Sequence, residues 1–169
     1  MRRILVVANQ TLGGAQLNDA IEACLEAGPC QFHVLVPATP PAELLASAFS
    51  EFAQPGSMSS ILEDGETYAR ERLHGELARL SAAGIAATGE VGTADPFLAV
   101  TAIAARDAFD EVLLSTLQRR ISRWLRRDLP KRLQKALPIP VRVVSATDDN
   151  KLSAKPGNRS QSPPSISTL

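Results

Sequence analysis

The chain has 169 residues, in which 18 lysines and arginines balance 18 aspartates and glutamates. This length suits one well-buried domain, and a net charge of zero argues against a whole-molecule field that would attract nucleic acid or an anionic membrane. With only 2 cysteines and 2 histidines, a disulfide framework or a zinc cluster is excluded, so Cys24 and Cys30 are predicted to be buried thiols.

The first elements predict a strand, a helix and a second strand. Residues 4–8 (ILVVA) are continuously apolar, as a strand covered on both faces requires, and the run is too short for the core of a signal peptide. Apolar residues at helical spacing follow over 17–28, and residues 32–36 (FHVLV) form the second strand. Short links between these elements predict a parallel crossover. Because no run is long enough to span a membrane, a cytoplasmic protein is expected.

The next stretch contains a proline-rich segment and the longest predicted helix. Residues 37–60 form either a lid over a pocket or a plain connection whose apolar face packs on the sheet edge. Residues 60–83 have helical periodicity, with leucines on one face. The exposed side of this helix is predicted to carry Glu66, Arg70, Glu71, Arg72 and Glu76.

The second half of the chain continues the same alternation. A weak strand signal at 85–91 indicates a short or edge strand, and Asp95 with Pro96 starts a helix that runs to about 108. Strands at 111–115 and 141–144 flank a helix over 128–137, for which Asp128 is the predicted N-cap. The sequence thus predicts an α/β fold over residues 1–145: a five-stranded parallel open sheet with helices on both faces, Rossmann-like. Residues 146–169 lack apolar periodicity and are predicted to be a disordered tail.

Two stretches resemble the universal stress protein family. Residues 92–116 (GTADPFLAVTAIAARDAFDEVLLST) are similar to its G-x-P helix start followed by D-x-(I/V)-V-x-G, and Pro138, Pro140 and 141–144 are similar to its closing P-(I/C)-P-V-x-V-V. The resemblance covers residues 3–144. It implies the fold of the universal stress protein and adenine nucleotide alpha hydrolase-like group, with ATP or another adenine nucleotide as the ligand of members that bind one.

The usual ATP-phosphate motif of the family is missing, so the chain resembles a divergent member. ATP-binding members carry an aspartate at the end of strand one and G-x2-G-x9-G-(S/T) after strand four. Here residues 8–11 read ANQT, and 115–133 contain no glycine. From the family topology, the resemblance implies a crevice lined by Ala8, Asn9, Gln10, Thr11, Val36, Pro37, Ser115, Thr116, Arg119 and Arg120.

The segment 119–135 is strongly basic and is opposed by Asp128 alone. Its arginines, Arg119 and Arg120 first, are candidates to bind a phosphate or other anion in place of the missing glycines. Alternatively, they form a solvated face that pairs with the acidic helix at 60–83, within the chain or across a dimer. Nucleic acid is disfavoured as a partner because Trp124 is the only aromatic residue in the segment.

Three functions remain open from the sequence. The first is a non-catalytic stress-response or regulatory domain that forms a homodimer through its last strand, as the resemblance implies. The second is a ligand-free protein-interaction module that uses the segments 119–135 and 37–60. The third is a nucleotide-handling enzyme, against which stands the lack of a serine or cysteine motif near either histidine. No catalytic residue and no metal ligand is predicted.

Overall fold

A computed structural model describes residues 1–38, 57–117 and 123–146, with the side chains of all but 57–64, 117, 123–128 and 146 in these ranges. Strands and helices alternate along these ranges: β1 (Arg2–Val7), α1 (Ala15–Glu26), β2 (Cys30–Pro37), α2 (Ser57–Ala82), β3 (Ala87–Gly92), α3 (Pro96–Arg106), β4 (Glu111–Leu117), α4 (Arg123–Ala136) and β5 (Val141–Ala146). Among the described residues, no helix is both long and apolar enough to cross a membrane.

The strands form one parallel sheet in the order β3-β2-β1-β4-β5. β1 is the central strand, with Val6 paired to Val34 of β2 on one side and to Leu113 of β4 on the other. The chain therefore winds outward from β1 to β3, and then returns to β4 and winds the other way. This reversal creates a switch point at the carboxyl ends of β1 and β4. The predicted fold class is confirmed.

Among the described elements, two helices cover each face of the sheet. Alternate residues of β1 serve the two faces: Ile4 and Val6 pack with α1 and α2, whereas Leu5 and Val7 pack with α3 and α4. All four side chains are at most 2% exposed. The continuous apolar run in the sequence is explained, because a strand covered on both faces has no polar side.

Local signals predicted most of the element boundaries. The carboxylate of Asp95 accepts hydrogen bonds from the amides of Phe97 at 2.8 Å and Leu98 at 3.2 Å, as predicted for the N-cap of α3. β3 is an edge strand, also as predicted. The predicted segment 37–60 lies outside the described residues from 39 to 56, and the predicted tail does so from 147 onward.

The start of the last helix was predicted wrongly. α4 begins at Arg123, and Asp128 lies inside it and is not its N-cap. Pro130 also lies within the helix. The error arose from reading Asp128 as a helix-start residue, because aspartate is a preferred N-cap. Pro130 is accommodated inside the helix at the cost of one backbone hydrogen bond and a steric clash with the preceding turn. β5 likewise extends to Ala146, the first residue of the predicted tail.

The two cysteines are free and buried between α1 and β2, as predicted. The thiol of Cys30 donates a hydrogen bond to the carbonyl oxygen of Cys24 at 3.1 Å. Burial raises the pKa of Cys24, an effect that the nearby Arg142 guanidinium, 2.8 Å from the sulfur, partly opposes. Both residues are therefore packing residues at the base of α1.

His33 is a half-buried histidine on β2. Its Nδ1 lies 2.9 Å from Oγ1 of Thr88, and its buried Nε2 has no hydrogen-bond partner within the described ranges. Burial lowers the pKa of His33. Arg106 and Arg3 act in the same direction, whereas Glu90 and Asp107 oppose them. The neutral imidazole is therefore the form that the fold favours.

The free energy of unfolding should fall as the pH is lowered from about 7 towards 5. The reason is that the unfolded chain binds a proton on His33 near its ordinary pKa of about 6.5, before the folded chain does. Urea unfolding at a series of pH values measures this dependence. A His33→Gln variant should flatten it in this range, and His74→Gln, which removes the exposed histidine of α2, is the control. An unchanged slope in His33→Gln would contradict the assignment.

Candidate functional site

The loop after β1 is fastened to both β2 and α2. The side-chain amide of Asn9 donates a hydrogen bond to the carbonyl oxygen of Pro37 at 2.9 Å. The side-chain oxygen of Asn9 accepts a hydrogen bond from the guanidinium of Arg72. This loop lies at the carboxyl edge of the sheet, where open parallel sheets generally bind ligands.

α2 carries a buried carboxylate in its apolar face. Ala69, Leu73, Glu76 and Leu80 share the helix face that packs on the sheet, and they are 1%, 7%, 4% and 0% exposed. Glu76 was expected on the exposed side of the helix, and this expectation is wrong. The fold accommodates it because Arg79 neutralises it. The Arg79 Nε and Nη2 donate to the two carboxylate oxygens at 3.0 and 2.7 Å. These hydrogen bonds raise the pKa of Arg79.

A cavity of about 290 Å³ lies between the loop after β1 and α2. It is lined by Asn9, Gln10, Leu12, Gly13, Arg72, Gly75, Glu76 and Arg79. Two arginines against one glutamate leave this lining with one net positive charge. Arg72 contacts no carboxylate in the part of the chain that the structure describes, so its charge is the uncompensated one. The cavity therefore suits an anion.

The switch point beside this cavity is bridged by a hydrogen bond. Thr11 is 4% exposed, and its hydroxyl donates to the carbonyl oxygen of Ser115 at 3.3 Å. The hydroxyl of Ser115 is buried and, among the described residues, has no hydrogen-bond partner. The loop after β1 thus contacts β4 directly, across the switch point.

A second cavity, of about 420 Å³, lies at the carboxyl ends of β2 and β3. It is lined by Ala38, Glu66, Val91, Gly92, Thr93 and Ala94. The one charged side chain among these described lining residues is Glu66, which forms an ion pair with Arg70 at 2.5 Å. The described lining thus offers no cation to attract a phosphate.

The predicted crevice residues fall into distinct environments. Asn9 and Gln10 line the first cavity. Ala8 and Val36 are buried in the core, and Pro37 is buried beside them. The structure pairs Asn9 with Pro37 and Thr11 with Ser115, and it leaves Thr116 half-buried. Arg119 and Arg120 lie outside the described residues, so their part in the crevice stays a prediction.

Sequence reasoning missed the contribution of α2 to the site, which consists of Arg72, Gly75, Glu76 and Arg79. A signal was available. Glu76 stands seven residues after Ala69 and three after Leu73, a position that belongs to the apolar face. An acidic residue there indicates a buried, paired carboxylate. The arginine that pairs with it lies three residues further on, within reach along a helix.

Comparison with known proteins shows the fold. No protein-family model and no curated protein matches the chain. A universal stress protein family protein from Burkholderia pseudomallei is 15% identical, with a TM-score of 0.53 over 84% of this chain and 94% of that chain. A universal stress protein family protein from Arabidopsis thaliana, solved with AMP bound, is 14% identical, with a TM-score of 0.56 over 90% of this chain and 97% of that chain. The chain therefore has a universal stress protein-like fold.

Replacing Thr11 by valine should lower the free energy of unfolding by about 1 kcal/mol, because the carbonyl oxygen of Ser115 loses its hydrogen bond. Thr11→Ser keeps the hydroxyl and should recover most of that loss. Urea unfolding of the three proteins compares them. An equal loss in both variants would show that the hydroxyl is not what joins the loop to β4.

Proposed function

We propose that this protein is a cytoplasmic, non-catalytic regulatory domain, similar to universal stress proteins, that binds a phosphate-bearing anion in the cavity between the loop after β1 and α2. An adenine nucleotide is the ligand class best supported. The observation that carries the proposal is the position of Arg72, a guanidinium without a carboxylate partner among the described residues, at a cavity beside the end of β1.

Arg72 is suited to take over the task of the missing glycines. Its guanidinium carries several N–H donors in a fixed plane, and the contact with the uncharged Asn9 side chain leaves its charge for a ligand. α1 begins beside the cavity, after Gly14, and has no acidic residue in its first turn. The field at the start of this helix therefore favours an anion nearby.

The ligand class is supported by one solved structure of the same fold. The Arabidopsis thaliana protein was solved with AMP bound. The anion-binding role first assigned to Arg119 and Arg120 remains a prediction. Arg72, which lies within the described residues, is positioned to bind an anion in their place. Among the described residues, the cavity lining includes no histidine, serine or cysteine, which supports binding without catalysis.

A ligand-free interaction module is the second candidate. The hydrogen bond from the Thr11 hydroxyl to the Ser115 carbonyl oxygen favours it, because this bond crosses the switch point where a ligand would otherwise bind. The described basic residues of α4 also favour it. Lys131 and Lys135 are exposed and have no acidic partner among the described residues. α2 and α4 pack on opposite faces of the sheet. Pairing of the basic segment with the acidic helix, within the chain or across a dimer, stays a prediction.

Arg72→Gln should abolish binding of AMP, ADP and ATP, because it removes the one uncompensated charge of the cavity. The measurement is the shift in melting temperature with each nucleotide and with inorganic phosphate, each well above its expected dissociation constant. Arg70→Gln is the matched control: Arg70 lies on the same helix, pairs with Glu66 and does not line the cavity. No shift in the unaltered protein with any of the four would leave the interaction module as the better reading.

We also propose a homodimer formed through β5. β5 is an edge strand, and Val143 on it is 40% exposed. An unpaired apolar edge is a template for strand pairing unless something covers it.

Analytical ultracentrifugation over a range of concentrations tests the dimer. The unaltered protein should sediment as a dimer and Val143→Lys as a monomer, since a charge on the edge opposes pairing. Leu98→Lys is the control, because Leu98 is 57% exposed on α3 and lies away from this edge. A monomer at all concentrations in the unaltered protein would rule the dimer out.

A further inference from the structure

We infer that the cavity beside Arg72 selects ligands with a single phosphate group, such as nucleoside monophosphates and cyclic nucleotides, over nucleoside triphosphates. This inference rests on the proposed function and adds the class of nucleotide. It follows from the charges that line the cavity and from the lack, in the described lining, of a glycine-rich loop whose backbone amides could hold several phosphate groups.

Glu76 limits how much negative charge the cavity tolerates. Its side chain is 3% exposed, so the carboxylate cannot turn into water when a ligand arrives. Arg79 is committed to it through two hydrogen bonds, and this arginine therefore adds little net attraction for a ligand. Among the described lining residues, the remaining attraction comes from Arg72. One phosphate group matches that charge, whereas the further phosphate groups of a triphosphate would find no second uncompensated cation in this lining.

The loop after β1 keeps the carboxylate close to any ligand. A Cβ atom placed on Gly13 would lie 3.9 Å from Oε2 of Glu76, so the loop and the carboxylate are neighbours across the cavity. Gly13 has a φ of +72°, which an L side chain rarely adopts, so the tight path of the loop depends on glycine. A ligand held between this loop and Arg72 is therefore held beside Glu76.

The cavity also lacks the means to hold a chain of phosphates. Triphosphates are usually cradled by successive backbone amides of a glycine-rich loop, whereas the glycines of the described lining are Gly13 on the loop after β1 and Gly75 on α2, which do not belong to one loop. The volume of about 290 Å³ lies just below the range of about 300 to 1,000 Å³ that is usual for ligand sites. A single phosphate group with part of its nucleoside fits such a space better than a triphosphate.

Isothermal titration of the full-length protein with AMP, cyclic AMP, ATP and inorganic phosphate measures this selectivity directly. AMP or cyclic AMP should bind at least tenfold more tightly than ATP. Glu76→Gln raises the charge of the cavity lining by one and should reduce the preference at least fivefold, chiefly by improving ATP binding. Glu71→Gln makes the same charge change at an exposed position of α2 outside the cavity and should leave the preference as it is.

The outcomes separate this inference from the proposed function. If all four ligands bind through Arg72 and ATP binds as tightly as AMP, the inference is overturned and the proposed function stands. If Glu71→Gln changes the preference as much as Glu76→Gln does, the selectivity comes from overall charge, and the inference is also overturned. If none of the four binds, both fail. The preference of the unaltered protein needs no variant, so the test does not depend on the stability of Glu76→Gln.

Discussion

The pairing of β1 on both of its edges is the constraint on which the rest of the molecule depends. A central parallel strand is hydrogen-bonded on two sides and packed on two faces, so it requires helices above and below and strands to the left and right. The chain leaves the carboxyl end of β1 towards α1, and the parallel strands β2 and β4 end on either side of that point. The loop that carries Asn9 and Thr11 consequently reaches both neighbours, through Pro37 and Ser115.

The local sequence pattern was sufficient to predict the fold. In nearly every element the apolar residues recur at the spacing of a helix, or form the continuous run of a strand that is buried on both faces. The strands read as apolar runs, and Asp95 marks the start of α3 by its capping chemistry. The site is different, since it depends on how α2 lies against the loop after β1. Nothing within the sequence of α2 indicates that Arg72 faces Asn9, which is distant along the chain. Glu76, which was expected on the exposed side, is the residue whose spacing from Ala69 and Leu73 could have indicated the arrangement.

The pair formed by Glu76 and Arg79 is poorly explained by stability. An apolar side chain of the same volume would avoid the cost of taking the Glu76 carboxylate out of water, since the Glu76 side chain is 3% exposed whereas the Arg79 side chain stays 38% exposed. A leucine at position 76 would continue the row of Ala69, Leu73 and Leu80 without that cost. The carboxylate is more readily understood as part of the cavity lining, where it sets the local charge. Through Glu76, the helix α2 therefore has two roles: it packs on one face of the sheet, and it contributes to the charge of the cavity at the carboxyl edge.

The two buried thiols give α1 a built-in reporter. Cys24 is 2% exposed and Cys30 is 7% exposed, and both lie where α1 packs over the sheet. A thiol reagent reaches them only when α1 separates from the sheet, so the labelling rate measures the free energy of that local opening. Cys24 lies on the helix itself and Cys30 on the strand beneath it, so both sides of this contact carry a thiol that reports the opening. The packing of α1, which begins beside the cavity, can thus be followed in solution through the two native thiols.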